Sequence, residues 1–333
     1  MRLALILALL ITLPPCEVLS AECRNALYVT SDWVSKIFDD NEYGEFRNGV
    51  LQTGIKDLYL LTRRNTKLNR TATQKFLHLQ MDGVRIHPVI SRSHLCQEKK
   101  TASCIDIADG PTRRQIVDQI KEYWASGFHG VQLDLEPLPR YEDGQQALVT
   151  LLKEVNDAKG KNNPHQVLSL TGAALELQGE GAKYVSHPKK ADAPPPYFWR
   201  RDFYAKILTH VDQVVVMGYD YAMTSASEYE GFTQWQTRQI LALKEELRSQ
   251  RQDTPEIIMG LPSFQVGRDA LHDPKVENLQ SGKNGVLKAL GNDICPDGFG
   301  IAIFSDLSSS PKAYQWKLFN ELQDFTLRSP KRN

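Results

Sequence analysis

Three polar residues fall at every second position in the stretch Gly130-Val131-Gln132-Leu133-Asp134-Leu135-Glu136-Pro137. Val131, Leu133 and Leu135 between them are apolar. A period of two is that of a β-strand, so Gln132, Asp134 and Glu136 share one face and the aliphatic residues the other. Pro137 cannot donate to a ladder and ends the strand. Carboxyl groups side by side on an inward face are costly unless paired, hydrated or used. Whatever chemistry the chain performs is therefore expected at the carboxyl end of this strand. A structural salt bridge to an arginine such as Arg85 is the competing account.

The elements that must position these acids follow from periodicity. Apolar, strand-like runs occur at 26–30, 55–62, 83–91, 130–136, 167–173, 213–220, 256–264 and 298–306. Helix-like segments lie at 33–53, 71–81, 112–126, 145–158, 197–209, 232–250 and 311–327. Pro111 suits a first helical position, and Ile116, Ile120, Tyr123 and Trp124 form one apolar side of the helix after it. Strands alternating with helices give an α/β chain, a (β/α)8 TIM barrel in one domain, with the acidic strand as the fourth of eight. An open doubly wound sheet would normally carry a glycine-rich nucleotide loop after its first strand, and the chain has none. The irregular stretch 179–196, rich in Gly, Lys and Pro, is expected to be a functional lid or a disordered segment.

Cysteines and composition bound the setting. Residues 1–21 resemble a secretory signal peptide, with Arg2, an apolar run from Leu3 to Leu13, and small residues Ser20 and Ala21 at the cut. This leaves 22–333 as the barrel domain, exported to a secreted or periplasmic location; lipid anchoring at Cys16 is the alternative. No second apolar segment is long enough to span a membrane. Four cysteines remain. Cys96 and Cys104 flank a short polar loop and are expected to pair. Cys23 and Cys295 would pair across the bottom rim, each just before a strand that closes the barrel. A zinc site would need a CxxC spacing that is absent. With 40 Lys+Arg against 40 Asp+Glu, the chain lacks the basic excess that nucleic-acid binding requires. Neither a phosphate-binding glycine nest nor a metal-ligand spacing is present, so no cofactor and no metal are expected.

Barrel enzymes place chemistry at the carboxyl ends of their strands. Those ends collect Asp134, Glu136, Ser91, Thr171, Tyr219, Asp220, Ser305 and Asp306, with Tyr197, Trp199, Tyr221, Tyr229 and Trp235 near them. Acids among aromatic and hydroxyl groups suit a neutral polyhydroxylated ligand such as a glycan. His87, ahead of Pro88, reads as a packing histidine.

The segment from His129 to Glu136 resembles the strand-four signature of the family 18 glycoside hydrolases, Asp-Gly-x-Asp-x-Asp-x-Glu. Met217-Gly218-Tyr219-Asp220 is similar to that family's Met-x-Tyr-Asp at the end of strand six. The resemblance implies a chitinase-like glycosidase without a protein nucleophile. Glu136 is then the general acid, Asp134 orients the substrate's acetamide, and Tyr219 hydrogen-bonds the acetamido oxygen. Gln132, Asp220, Tyr221, Phe304 and Trp199 are the expected substrate-binding residues. Ser263-Phe264-Gln265 at the end of strand seven offers no opposing carboxylate. Three positions depart from the pattern. His129 and Gln132 replace aspartates, and Phe304 stands where the family usually has tryptophan. Gln132 cannot carry charge, which implies reduced or redirected activity. The expected partner is a glycan with β-linked N-acetylhexosamine: chitin-like, peptidoglycan or N-glycan. A non-catalytic chitinase-like lectin is the alternative, and a barrel hydrolase using Glu136 with Asp220 or Asp306 is a third.

Overall fold

Period-two strands flanked by helices close into a ring. The computed structural model describes residues 23–30, 40–61, 70–92, 95–96, 104–136, 141–159, 166–184, 197–250, 254–263, 272–291 and 295–304. Its strands are β1 (Ala26–Val29), β2 (Asp57–Leu61), β3 (Arg85–Arg92), β4 (Gly130–Leu135), β5 (Val167–Gly172), β6 (Ala174–Leu175), β7 (Phe198–Trp199), β8 (Gln213–Met217), β9 (Glu256–Pro262) and β10 (Phe299–Phe304). The helices are α1 (Asp40–Gln52), α2 (Arg70–Met81), α3 (Gly110–Ala125), α4 (Glu142–Lys159), α5 (Arg201–Leu208), α6 (Ala226–Gln250) and α7 (Leu279–Leu290). Eight strands form a closed parallel barrel in the order β1-β10-β9-β8-β5-β4-β3-β2. The ring shuts where Ala26 pairs with Ala302 and Leu27 with Ile303. This is the (β/α)8 barrel.

Alternation decides which side chains fill it. Leu58, Leu60, Leu133, Leu135, Val214 and Val216 face outward into the main core beneath the helices. Tyr28, Tyr59, Val89, Val215, Ile258 and Ala302 point inward and form a separate internal cluster. The helices are set by local signals. Asp109 caps α3 by accepting a hydrogen bond from the Thr112 amide at 2.8 Å, with Pro111 behind it in the first turn. Asn278 caps α7 in the same way through the Ser281 amide at 3.0 Å, and Gly291 ends that helix at φ 72°.

The amino-terminal end of the barrel is sealed by charge. Arg85 reaches Asp57 at 2.7 Å and also meets Glu256, which in turn pairs with Arg24 at 3.0 Å. His87 sits 2.7 Å from the fully buried Asp57. A Cβ at Gly130 would collide with the His87 imidazole, so only glycine leaves room for that ring inside the barrel. His87 is thus a packing residue of the floor, and Arg85 is committed there, away from Asp134 and Glu136. Cys23 and Cys295 are joined at the same end, with Cα atoms 5.4 Å apart. Cys96 and Cys104 are joined beside β3, with Cα atoms 4.9 Å apart.

Several elements differ from the sequence-based expectation. The run 197–209 divides into the short strand β7 and helix α5, because the Phe198 and Trp199 backbone pairs with Ala174 and Leu175. The stretch expected to be wholly irregular starts with a short 3-10 turn, Gly179–Lys183. Helix α7, between the last two barrel strands, has no counterpart in the sequence reading. The signal segment 1–21, Cys16 and the segment 311–327 lie outside the described residues. No helix among the described residues is long and apolar enough to cross a membrane.

Candidate active site

The end of β4 is held by its neighbours' backbones. The Glu136 amide donates to the Arg92 carbonyl at 2.7 Å, and the Glu136 carbonyl accepts from the Leu95 amide at 3.0 Å. Glu136 is thereby pinned at the rim with its side chain at the open mouth. Two residues earlier, Asp134 lies within the barrel wall, beside its register partner Ser91 on β3. Burial lifts the Asp134 carboxyl to about 6, while the nearby Thr171 and Ser91 hydroxyls act to lower it. The charge of Asp134, then desolvation, then the charge of Asp220 raise Glu136 to about 7. Among the described residues, no cation acts directly on either carboxyl. Such an arrangement keeps a proton on Glu136 near neutrality and an anion beside it, which is the equipment of a general acid with an electrostatic partner.

Tyr219 and Asp220 face this pair from the loop after β8. The Tyr219 ring lies nearly parallel to Phe304, at 6° with centroids 5.5 Å apart. Burial, with Tyr28, Asp220, Asp134 and Glu136 nearby, raises its phenol well above the usual range, so the hydroxyl keeps its proton. Asp220 has φ 67°, in the left-handed region. Its carboxylate lies 3.0 Å from His272 Nδ1. The backbone amides of Asp220, Tyr221 and Met223 all donate to the buried carboxylate of Glu277.

Four of the expected substrate-binding side chains take other places. Trp199 is fully buried and packs edge-on against Phe203 and Tyr204, between barrel and helix, so it is core and not a sugar platform. Tyr221 is 3% exposed, stacks on Phe198 and spends its hydroxyl on the Ala174 amide and the Tyr197 carbonyl. Gln132 is fully buried beneath the site, and its amide donates to the Tyr28 hydroxyl at 2.8 Å. Phe304 has one face covered by Tyr219 and meets Tyr28 edge-on, which leaves it as a support for Tyr219 more than a floor for a ligand. Asp306, Ser305 and Gln265 lie outside the described residues. The sequence reading missed Tyr28, His272 and Glu277. The only local hint of Glu277 is an acid directly before the Asn278 cap.

The side chains of Asp220, His272 and Glu277 bring their ligand atoms within 4.8 Å of one another, close enough to share an ion. Glu277 already receives hydrogen bonds on both oxygens from backbone amides, and the His272 imidazole is set between the two acids. The three side chains stand together as an ion-paired cluster, His272 Nδ1 lying 3.0 Å from Asp220 and 3.7 Å from Glu277.

Solved structures carry the same architecture. A family 18 N-acetylglucosaminidase from Paenibacillus barengoltzii matches with a TM-score of 0.52 at 11% identity, over 90% of this chain and 98% of that one. A family 18 chitinase from Cycas revoluta, in complex with (GlcNAc)4, matches with a TM-score of 0.52 at 15% identity, over 91% and 99%. This chain shares the fold of the family 18 glycoside hydrolases. The likeness is one of fold: a family 138 enzyme targeting pectin rhamnogalacturonan II also reaches a TM-score of 0.52, at 8% identity, over 94% of this chain and 40% of that one. No family model matches the sequence, and no curated protein does. Within the family 18 fold, β4 and β8 are the fourth and sixth barrel strands, the two on which the sequence signatures were found.

Proposed function

We propose that the chain is an exported glycoside hydrolase of the family 18 type. It cleaves a glycan with a β-linked N-acetylhexosamine, with retention and with the substrate's own acetamide as nucleophile. The observation that carries this is the pair on β4: Glu136 at the mouth, with its carboxyl raised to about 7 by the Asp134 charge beside it. Glu136 protonates the glycosidic oxygen. The acetamido carbonyl oxygen attacks the anomeric carbon as the leaving group departs, and a ring-closed cation forms within the sugar. Asp134 faces the positive charge that develops on the acetamide nitrogen and accepts its hydrogen bond. Tyr219, which keeps its proton, donates to the acetamido oxygen, and Asp220 takes sugar hydroxyls. Water then opens the intermediate, with Glu136 as base. This route is an exception to hydrolysis by two opposed carboxylates.

Gln132 sets a limit on the rate. Bonded to Tyr28 and unable to ionise, it can stabilise Asp134 only as a neutral neighbour, so activity below that of a three-aspartate signature is expected. The test is turnover of chitin oligomers, peptidoglycan fragments and N-glycans by the purified mature protein, beside Glu136→Gln. Loss of a general acid lowers kcat by roughly 10²–10⁴-fold. Turnover that survives the change would remove Glu136 from its role. Glycan binding without turnover in both forms would make the protein a lectin.

A further inference from the structure

We propose that Glu277 is a positioning residue: its carboxylate fills a nest of backbone amides and so holds Tyr219 and Asp220 toward Glu136, with His272 as the tie to Asp220. The inference rests on the glycosidase reading, in which Tyr219 and Asp220 touch substrate.

Glu277 is fully buried, on the segment between β9 and α7. Its Oε2 accepts from the Asp220 amide at 2.6 Å and the Tyr221 amide at 3.2 Å; its Oε1 accepts from the Met223 amide at 2.9 Å. Convergent amides of this kind form when successive residues alternate in hand, and they favour an anion. The turn shows that alternation: Asp220 has φ 67° and Ala222 has φ 53°. Alanine in the left-handed region is strained, because its Cβ crowds the backbone, and the surrounding structure must offset that strain. Glu277 supplies the offset by satisfying three donors that would otherwise be buried near a strained turn.

His272 completes the device. It is 2% exposed, with Nδ1 3.0 Å from Asp220 Oδ1 and 3.7 Å from Glu277 Oε2. Burial alone would lower this imidazole, but the two carboxylates outweigh it and raise it to about 9. A cation therefore lies beside Asp220 at working pH. Tyr219, Tyr221 and Tyr229 lie near these charges and all have raised phenols, so they contribute no charge. The Tyr229 hydroxyl also donates to the Gly218 carbonyl at 2.7 Å, which anchors the start of the turn.

Glu277→Gln tests this directly, since the amide keeps the shape but presents an NH2 to backbone donors. The expected result is a 10–100-fold drop in kcat/KM with the melting transition retained, as a small misplacement of reacting groups costs that much. Adding Ala222→Gly, which removes the strain the nest offsets, should restore part of the loss. His272→Gln should move the basic limb of the pH profile to higher pH, because Glu136 then feels an uncompensated Asp220. A role in folding alone would leave that limb in place. A second readout needs no substrate. The His272 imidazole, followed by NMR, should titrate near 9 in the wild type and fall toward the ordinary 6.5 in Glu277→Gln. Failure of the glycosidase reading would abolish only the kinetic arms. A wild-type titration and wild-type kcat/KM in Glu277→Gln would overturn the proposal. So would micromolar zinc binding by the wild type that His272→Gln abolishes, which would make the cluster a metal site.

Discussion

Asp57 and Asp134 both point into the barrel, one at each end, and their surroundings treat them in opposite ways. Burial pushes on both. At the floor, the Arg85 guanidinium and His87 outweigh it and hold Asp57 well below the usual carboxylate range. At the mouth, only the Thr171 and Ser91 hydroxyls resist it, and Asp134 rises to about 6, with Glu136 raised to about 7 in turn. The floor is neutralised and closed. The mouth is left electrostatically unsatisfied, and a group able to give up a proton near neutrality is the result. One architecture thus holds a charge-paired end and a charge-unpaired one about a strand's length apart, and the difference between them is the presence of a guanidinium.

The contrast can be broken at the floor first, where the effect should be largest. Arg85→Met leaves Asp57 and Glu256 without their shared cation and should cost about 3–5 kcal/mol in chemical denaturation, with the activity of the folded fraction unchanged. At the mouth, Asp134→Asn should lower kcat by about 10²-fold or more. Its basic pH limb should also move to lower pH, since Glu136 loses the charge that lifts it. The same contrast predicts a pH dependence of stability. Carboxyls raised above their unfolded values, about 4, stabilise the fold fully below that pH, and the contribution is lost as pH climbs through 6 and 7. Asp57, which is depressed, contributes above about 4 and loses its contribution in acid. The melting temperature should therefore fall from pH 5 to pH 8, and the decline should flatten in the Asp134→Asn/Glu136→Gln double variant. The smallest effect is expected for Gln132→Glu, which keeps the reach to Tyr28 and adds a charge under Asp134. The basic limb should move up by less than about one pH unit, as one partly screened charge allows.

The barrel was legible because its evidence is local and repeated: each strand alternates, each helix has an apolar face, and Cys23 and Cys295 have to meet only if the ring closes. Helix α7 escaped because Gly282 and Gly285 interrupt its periodicity. They are there for contact, since a Cβ at Gly285 would strike Thr233 and one at Gly282 would meet Leu261, so α7 can lie close against α6 and the barrel. The candidate site could be assembled from the sequence where its groups lie on one strand or one turn, as Asp134, Glu136, Tyr219 and Asp220 do, and the structure sets these four near one another. Trp199 and Tyr221 were misjudged because an aromatic type near a strand end does not reveal which way it faces; both turned into the layer under the helices. Tyr28, His272 and Glu277 reach the site from distant parts of the chain, and no short pattern marks them.

The bond between Cys23 and Cys295 spans 272 positions of the sequence and lies where the first and last barrel strands meet. It makes nearly the whole described barrel a covalent ring. A single cut by a protease in any surface connection would open that ring without releasing a fragment. Nicked protein would run as one species without reductant and as two with it, and the two pieces would stay at each other's effective concentration long enough to keep the mouth assembled.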